Sequence, residues 1–282
     1  MAVQISLNGV RVEHDRARGS WMLAGLALLL GTAFVVAPVW LAGGGHGEGF
    51  FGSAALTRAV GDNFVAFWNT GDTAVPTGMN DLVQYWTRYH VAKAVLSGLL
   101  LIVLTVLAVR LWKPTVNSAI ATRRRRMAGM AGATATAGGF GAALLLMANV
   151  QGAVAPLSSL LSVVPSASDD PAVGRVQAQV EQQLRTGDTS RPALARMVAD
   201  FGTYHAVLAV AALVLACVAV GFSVVIGRSF VRTPRLDRAT RRTTALASAC
   251  LAIVGIGVII LAAANIGNAI EPAHALLLFY AG

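Results

Sequence analysis

Residues 90–112 read HVAKAVLSGLLLIVLTVLAVRLW. No acid interrupts the stretch, and its only Lys or Arg residues, Lys93 and Arg110, stand near its two ends. A helix needs about 20 predominantly apolar residues to cross the hydrocarbon core of a bilayer. Such a segment must be helical, because hydrocarbon offers no partner for an unpaired backbone N–H or C=O. Four further segments meet the same condition, roughly Trp21–Ala42, Ala128–Asn149, Tyr204–Ile226 and Thr243–Asn265. The predicted fold is an all-α polytopic membrane helix bundle with five transmembrane helices.

Composition agrees. Charged residues are 12% of the 282-residue chain, where a soluble domain carries about 25%. So few charges leave a water-facing surface uncovered. The Ala128–Asn149 segment is the least apolar, and its small residues Ala131, Ala135 and Gly139 are spaced four apart. That spacing admits a neighbouring backbone, so it is read as the central, protein-packed helix. Cys217 and Cys250 show no metal-type spacing and are read as small buried hydrophobes.

The net charge of +9 is unevenly spread. The leader before Trp21, the segment 110–127 and the segment 227–242 together hold 15 of the 22 Lys and Arg residues. The longer connections 43–89 and 150–203 balance their bases with acids. By the positive-inside rule the N-terminus is cytoplasmic and the C-terminus extracytoplasmic. Arg123, Arg124, Arg125 and Arg126 then read as an anchor on anionic lipid headgroups, not as a nucleic-acid site. Richness in Ala, Gly and Arg suggests a GC-rich bacterial genome and hence a bacterial plasma membrane. The first span is read as a retained anchor and not a cleaved signal, since Glu13 and Asp15 precede it and no clean cleavage site follows.

The chain also resembles itself. Thr70-Gly71-Asp72-Thr73 recurs as Thr186-Gly187-Asp188-Thr189, Tyr89-His90 as Tyr204-His205, and Ala148-Asn149 as Ala264-Asn265. All three matches lie about 116 residues apart, the mark of an internal repeat. The expected organisation is a leader (1–20), a first repeat (21–127), a second repeat (128–242), and a fifth span with an outer tail (243–282). Each repeat reads as helix, outer loop, helix. Two spans separate the copies, so the duplication is parallel, not inverted.

Both outer loops carry helical periodicity. Leu56, Val60, Phe64, Phe67 and Trp68 share one face, as do Val176, Val180 and Leu184. The Thr-Gly-Asp-Thr strings read as stop-and-restart signals between helices. The stretches 43–47 and 166–171 read as flexible connectors. Tyr89, Tyr204, Trp40, Trp86, Trp112 and Tyr280 suit an interfacial aromatic belt.

Polar residues gather at the outer ends of the spans. His90 and His205 open the second and fourth, Asn149 and Gln151 close the third, and Asn265, Asn268, Glu271 and His274 close and follow the fifth. Ionisable groups at that depth are costly unless paired, which makes the set a candidate pocket. Lys93 lies one turn inward from His90 on the same face. It either snorkels to the headgroups or serves the pocket by binding an anion or moving a proton. His90 and His205 also raise haem or metal binding, but one histidine per helix at the helix mouth favours interfacial hydrogen bonding. Glu271-x-x-His274 has the spacing of half a di-iron set, and the matching glutamates on other helices are missing. No cofactor or metal is predicted.

Trp86-Thr87-Arg88-Tyr89-His90-Val91-Ala92-Lys93 is similar to the tryptophan-rich basic motif of small anthrone-oxygenase-like membrane proteins. Asn149-Val150-Gln151-Gly152-Ala153 and Asn265-Ile266-Gly267-Asn268-Ala269 resemble the Asn-containing motif of that family. The second copy, Phe201-Gly202-Thr203-Tyr204-His205, lacks the Trp, and Leu208 replaces the basic residue. The resemblance implies cofactor-free oxidation of a flat aromatic substrate. The residues themselves display no nucleophile–base pair, P-loop or dinucleotide fingerprint. The primary expectation is therefore an integral membrane protein with an outward-facing polar pocket, acting as a binding or accessory component. Alternatives are a membrane oxidoreductase or oxygenase for a small hydrophobic or aromatic molecule, and an exporter of a hydrophobic substrate. Small-residue faces would permit a homo-oligomer.

Overall fold

The computed structural model describes residues 2–43, 53–71, 75–113, 122–232 and 238–281. Its elements in chain order are α1 (Ala2–Ala42), α2 (Ser53–Asn69), α3 (Thr77–Trp112), α4 (Thr122–Val154), α5 (Pro156–Leu161), α6 (Pro171–Thr186), α7 (Pro192–Arg232), α8 (Arg238–Ile270) and α9 (Pro272–Ala281). No strand occurs among the described residues. Among the described residues five stretches are long and apolar enough to cross a membrane: Arg18–Ala42, Thr77–Trp112, Arg123–Val154, Pro192–Arg232 and Arg241–Ile270. The protein is an all-α polytopic helix bundle.

The chain divides into two compact units, Met1–Pro38 with Ala92–Leu146, and Val39–Val91 with Met147–Gly282. In the first, Leu107, Ala108 and Ala135 form a small core against Leu23 and Ala24. Gly132 makes room for Trp112, whose indole lies 3.2 Å from where a Cβ would stand. The Trp112 Nε1–H donates to Thr136 Oγ1 at 3.1 Å.

In the second unit α7 and α8 pack through a stripe of small residues. Ala212 and Ala216 are buried against Val258 and Ala262, and alanine at these positions lets two helix backbones approach closely. Near the far end of the pair, Ser223 Oγ donates to Ser248 O at 2.8 Å and Ser248 Oγ donates to Ser223 O at 2.9 Å. The other faces of these helices expose Val210, Val214, Ile253 and Ile260. That pattern suits helices solvated by lipid, where apolar exposure carries no penalty.

The segments read from the sequence as outer loops are folded. Phe64 and Trp68 of α2, Val176 and Val180 of α6, Met197 of α7 and Leu276 of α9 belong to one buried cluster. Local sequence explains the entry and exit of α6. Asp170 caps its N-terminus, accepting from the Ala172 and Val173 amides at 2.8 and 3.3 Å, with Pro171 in the first turn, where a missing N–H costs nothing. Gly187 ends the helix at φ 72°, in the left-handed region that glycine adopts without strain. The Asp188 amide then reaches back to Gln183 O at 3.0 Å. Gly71 follows α2 at φ 66°. Asp72 and Thr73 lie outside the described residues, as do positions 44–47 of the first glycine-rich connector.

Replacing Asp170 with alanine should cost about 1 kcal/mol through loss of this cap, seen as faster amide exchange over 172–174. Asp188 accepts from the Ser190 hydroxyl and amide at 2.6 and 3.0 Å, and these bonds hold its carboxyl below the ordinary Asp range. A depressed folded-state value contributes stability above the unfolded value and loses it as pH falls through the folded one. The turn at 188–190 should therefore loosen only in that acid window, measurable as a rise in exchange at the Ser190 amide.

Several expectations are corrected. His90 and His205 do not open their helices, because α3 begins at Thr77 and α7 at Pro192. Asn149 and Asn265 do not close theirs, since α4 runs to Val154 and α8 to Ile270. The additional turns are stabilised by packing residues such as Met79 and Met197 in the outer cluster, so they need no long apolar run. The segment 166–171 is a hydrogen-bonded turn and cap, in which Ser166 Oγ meets Ser168 Oγ at 2.8 Å and Asp169 Oδ2 at 2.5 Å. The apolar stretch of α4 shares the greatest burial of the five with that of α7: Ala135 and Ala142 are buried, while Ala131 is exposed. Cys217 and Cys250 are exposed, not buried; they lie off the alanine stripe that forms the helix contact. Tyr280 leaves the aromatic belt for the outer cluster, because Pro272 breaks the chain away from α8 and starts α9 there. Burial pushes its phenol well above the ordinary range.

Candidate functional site

Two histidine–asparagine contacts organise the polar layer, both within the second unit. His90 Nδ1 of α3 lies 3.0 Å from Asn149 Oδ1 of α4. His205 Nδ1 of α7 lies 2.7 Å from Asn265 Oδ1 of α8. Both asparagines are buried. Asn265 uses its amide nitrogen to donate to Leu261 O at 2.8 Å, which leaves its oxygen turned to the imidazole. An amide oxygen only accepts, so Nδ1 of His205 carries the hydrogen and Nε2 presents a lone pair in the neutral ring. Gln151, two residues after Asn149, donates its amide nitrogen to Tyr204 O at 3.2 Å, next to His205 in the chain.

The aromatic settings also match. Trp86 meets His90 edge-on, with centroids 4.9 Å apart, and Phe201 meets His205 the same way at 4.7 Å. Tyr89 and Tyr204 each lie 5.5 Å from the adjacent imidazole, near perpendicular. Trp86 and Phe201 both stand one turn before their histidine, which places them on its face.

The two imidazoles differ on the Nε2 side. Trp86 Nε1–H donates to Ser159 Oγ at 3.0 Å, and that hydroxyl lies 3.4 Å from His90 Nε2. Ser159 sits in α5, three residues past Pro156. Three residues past Pro272, in α9, the residue is Ala275, and one turn before His205 it is Phe201. Neither offers a polar hydrogen. His205 Nε2 is buried and has no hydrogen-bond partner among the described residues. An unsatisfied buried acceptor costs about 1–3 kcal/mol.

The remaining sequence candidates fall elsewhere. Asn268, Glu271 and His274 line an open hollow of roughly 340 Å³ at the α8–α9 break, together with Gly267, Ile270 and Ala275. Glu271 and His274 are exposed there. Lys93 belongs to the first unit, where its Nζ lies 4.7 Å from the Phe34 ring centroid. Among the described residues no group of three or more His, Cys, Asp or Glu gathers to hold a metal. Among the described residues His205 Nε2 is one of the buried side-chain polar atoms without a hydrogen-bond partner, with Ser158 Oγ, Gln183 Oε1 and the Tyr280 hydroxyl.

Sequence reasoning missed Ser159, Ala275 and Asp200. Asp200 Oδ2 of α7 accepts from the Ser158 amide at 2.7 Å, satisfying a donor in the first turn of α5. The shared prolines before Ser159 and Ala275 were a usable signal, since Pro156 and Pro272 keep the spacing of the other repeated residues.

The architecture defines a class, an all-helical bundle with five helices able to span a membrane and a folded helical cluster built from its connections. Compared with protein-family models, curated proteins and solved structures, the chain matches none.

Proposed function

We propose that the chain is a duplicated plasma-membrane protein, cytoplasmic at its N-terminus, that acts as a binding or accessory component on the outer side. The duplication is supported by residues that keep one spacing: Gly71 and Gly187 at positive φ, the two His–Asn contacts, and Pro156 and Pro272 opening short helices. The bases at 110–126 and 228–242 support the orientation. Arg123, Arg124, Arg125 and Arg126 serve as an anchor on anionic headgroups.

One observation carries the binding role. His205 keeps the hydrogen bond that orients its ring but leaves a buried acceptor open. Proteins seldom retain such a group, and a ligand that supplies the missing donor explains it. The test is mass spectrometry of small molecules retained by the protein purified in lipid nanodiscs. A non-lipid molecule near one per protein, unchanged on prolonged incubation, is the expected result. Retention of bulk phospholipid alone overturns the reading, as does turnover of a substrate that depends on Lys93.

A second reading has a specific basis. An imidazole nitrogen that carries a lone pair is also a general base, which suits the oxidoreductase or oxygenase that the motif resemblance implies. Substrate consumption abolished by His205→Gln would favour it over binding.

A further inference from the structure

We infer that the face formed by Ala263, Gly267, Glu271 and His274, at the α8–α9 break, is the seat for one membrane helix of a different protein. That helix runs antiparallel to α8 and carries Lys or Arg at the level of Glu271. The inference rests on the duplication and membrane placement proposed above and gives the accessory role a partner.

The first copy shows what occupies such a face. Met147, Gln151, Ala155 and Ser158 stand 116 residues earlier with the same spacing, and all four are buried. The helix that covers them is α7. Met147 shares a packed cluster with Leu208 and Ala212. Gln151 donates to Tyr204 O at 3.2 Å, and the Ser158 amide donates to Asp200 Oδ2 at 2.7 Å. Rising numbers along α4 and α5 meet falling numbers along α7, so the covering helix is antiparallel. In the second copy Ala263, Gly267, Glu271 and His274 are all exposed. The other packing of the short helix does repeat. Leu160 of α5 clusters with Val60 and Leu82, and its counterpart Leu276 of α9 shares a cluster with Val176 and Met197. The side left open in the second copy is the one that α7 covers in the first.

Chemistry narrows the occupant. Ala263 and Gly267 are small and four apart, which admits a neighbouring helix backbone. Gly267, Glu271 and His274 line the open hollow of roughly 340 Å³. No ion pair holds Glu271 among the described residues, and a carboxylate at the margin of a bilayer is costly until it is paired. A copy of α7 is unsuited, because Asp200 would bring a second acid to Glu271. Its counterpart α3 carries a base at this level: Arg88 Nε donates to Ala42 O at 3.1 Å, and Ala42 stands 116 residues before Ser158. The seat therefore suits a helix of the α3 kind with its base turned to Glu271. Arg88 already meets Ala42 and Asp200 already meets Ser158, so a second copy of this chain offers neither helix.

The experiment is photo-crosslinking of the full chain in the membranes of the cells that make it. A photoactivatable diazirine amino acid replaces Ala263 or His274, and Val210, exposed on α7, is the control position. Both seat positions should give the same single protein product, and Val210 should give lipid adducts only. Mass spectrometry should map the attached residues to one membrane helix, within two turns of a Lys or Arg. Glu271→Lys, matched to the parent in thermal unfolding, should lower the yield at least tenfold, and changing the partner's base to Glu should restore it. Cross-links to a second copy, to lipid alone or to several unrelated proteins overturn the inference, as does a yield indifferent to Glu271→Lys. If Val210 still reaches lipid, that failure removes the seat and leaves the membrane placement. If Val210 reaches none, the placement falls as well.

Discussion

Replacing Trp68 with alanine is expected to remove about 3–5 kcal/mol of stability. The indole is fully buried in the cluster formed by α2, α6, α7 and α9. Its Nε1–H donates to Gln179 Oε1 at 2.6 Å, and the Arg191 guanidinium lies 4.5 Å from its ring while donating to the Trp68 carbonyl at 2.7 Å. The substitution therefore opens a large void, leaves the Gln179 amide without its indole donor, and removes the surface on which Arg191 rests. Thermal unfolding in detergent measures the loss. Trp21→Ala is the control, because Trp21 is 78% exposed on a candidate span. Equal destabilisation by the two substitutions would show that the outer cluster is not a cooperative core.

The second large effect is expected at Gly152. A Cβ there would stand 2.7 Å from Cε1 and Nδ1 of the His90 ring. That ring is held by Asn149 on one side and meets Ser159 on the other, so it cannot withdraw without losing a hydrogen bond. Gly152→Ala should cost about 1–3 kcal/mol from overpacking, with about 1 kcal/mol more for the displaced bond. Gly267→Ala on α8, where a Cβ meets nothing within 4 Å, should be close to neutral. Adding His90→Ser to Gly152→Ala should recover part of the loss, since neighbouring residues couple. Additive losses in that double variant would separate Gly152 from the imidazole.

Different parts of the protein were legible to different degrees for physical reasons. The spans declare themselves because a bilayer demands a long uncharged run, as in residues 90–112. The helices α2 and α6 were legible because their buried faces recur with helical period. The early starts of α3 and α7 were not, because those turns are amphipathic and stabilised by distant chain segments. The His–Asn partners could be placed at a common depth, but the pairing of His90 with Asn149 joins residues far apart in sequence and carries no local mark. The same holds for Trp86 and Ser159. The unpartnered Nε2 of His205 needed coordinates, because a missing hydrogen-bond partner leaves no mark in the sequence. Lys93, the sharpest residue by its charge in an apolar run, lies over Phe34; one spacing along one helix could not show what faces it.

The most direct measurement is a side-chain-resolution map of the protein in a lipid nanodisc. It should show five helices crossing the disc and the two His–Asn contacts beneath the outer cluster. Non-protein density should meet the Nε2 nitrogen of His205, with none at His90. A map in which a protein group satisfies both imidazoles alike, or in which α2 and α6 lie unfolded away from the helices, contradicts the account.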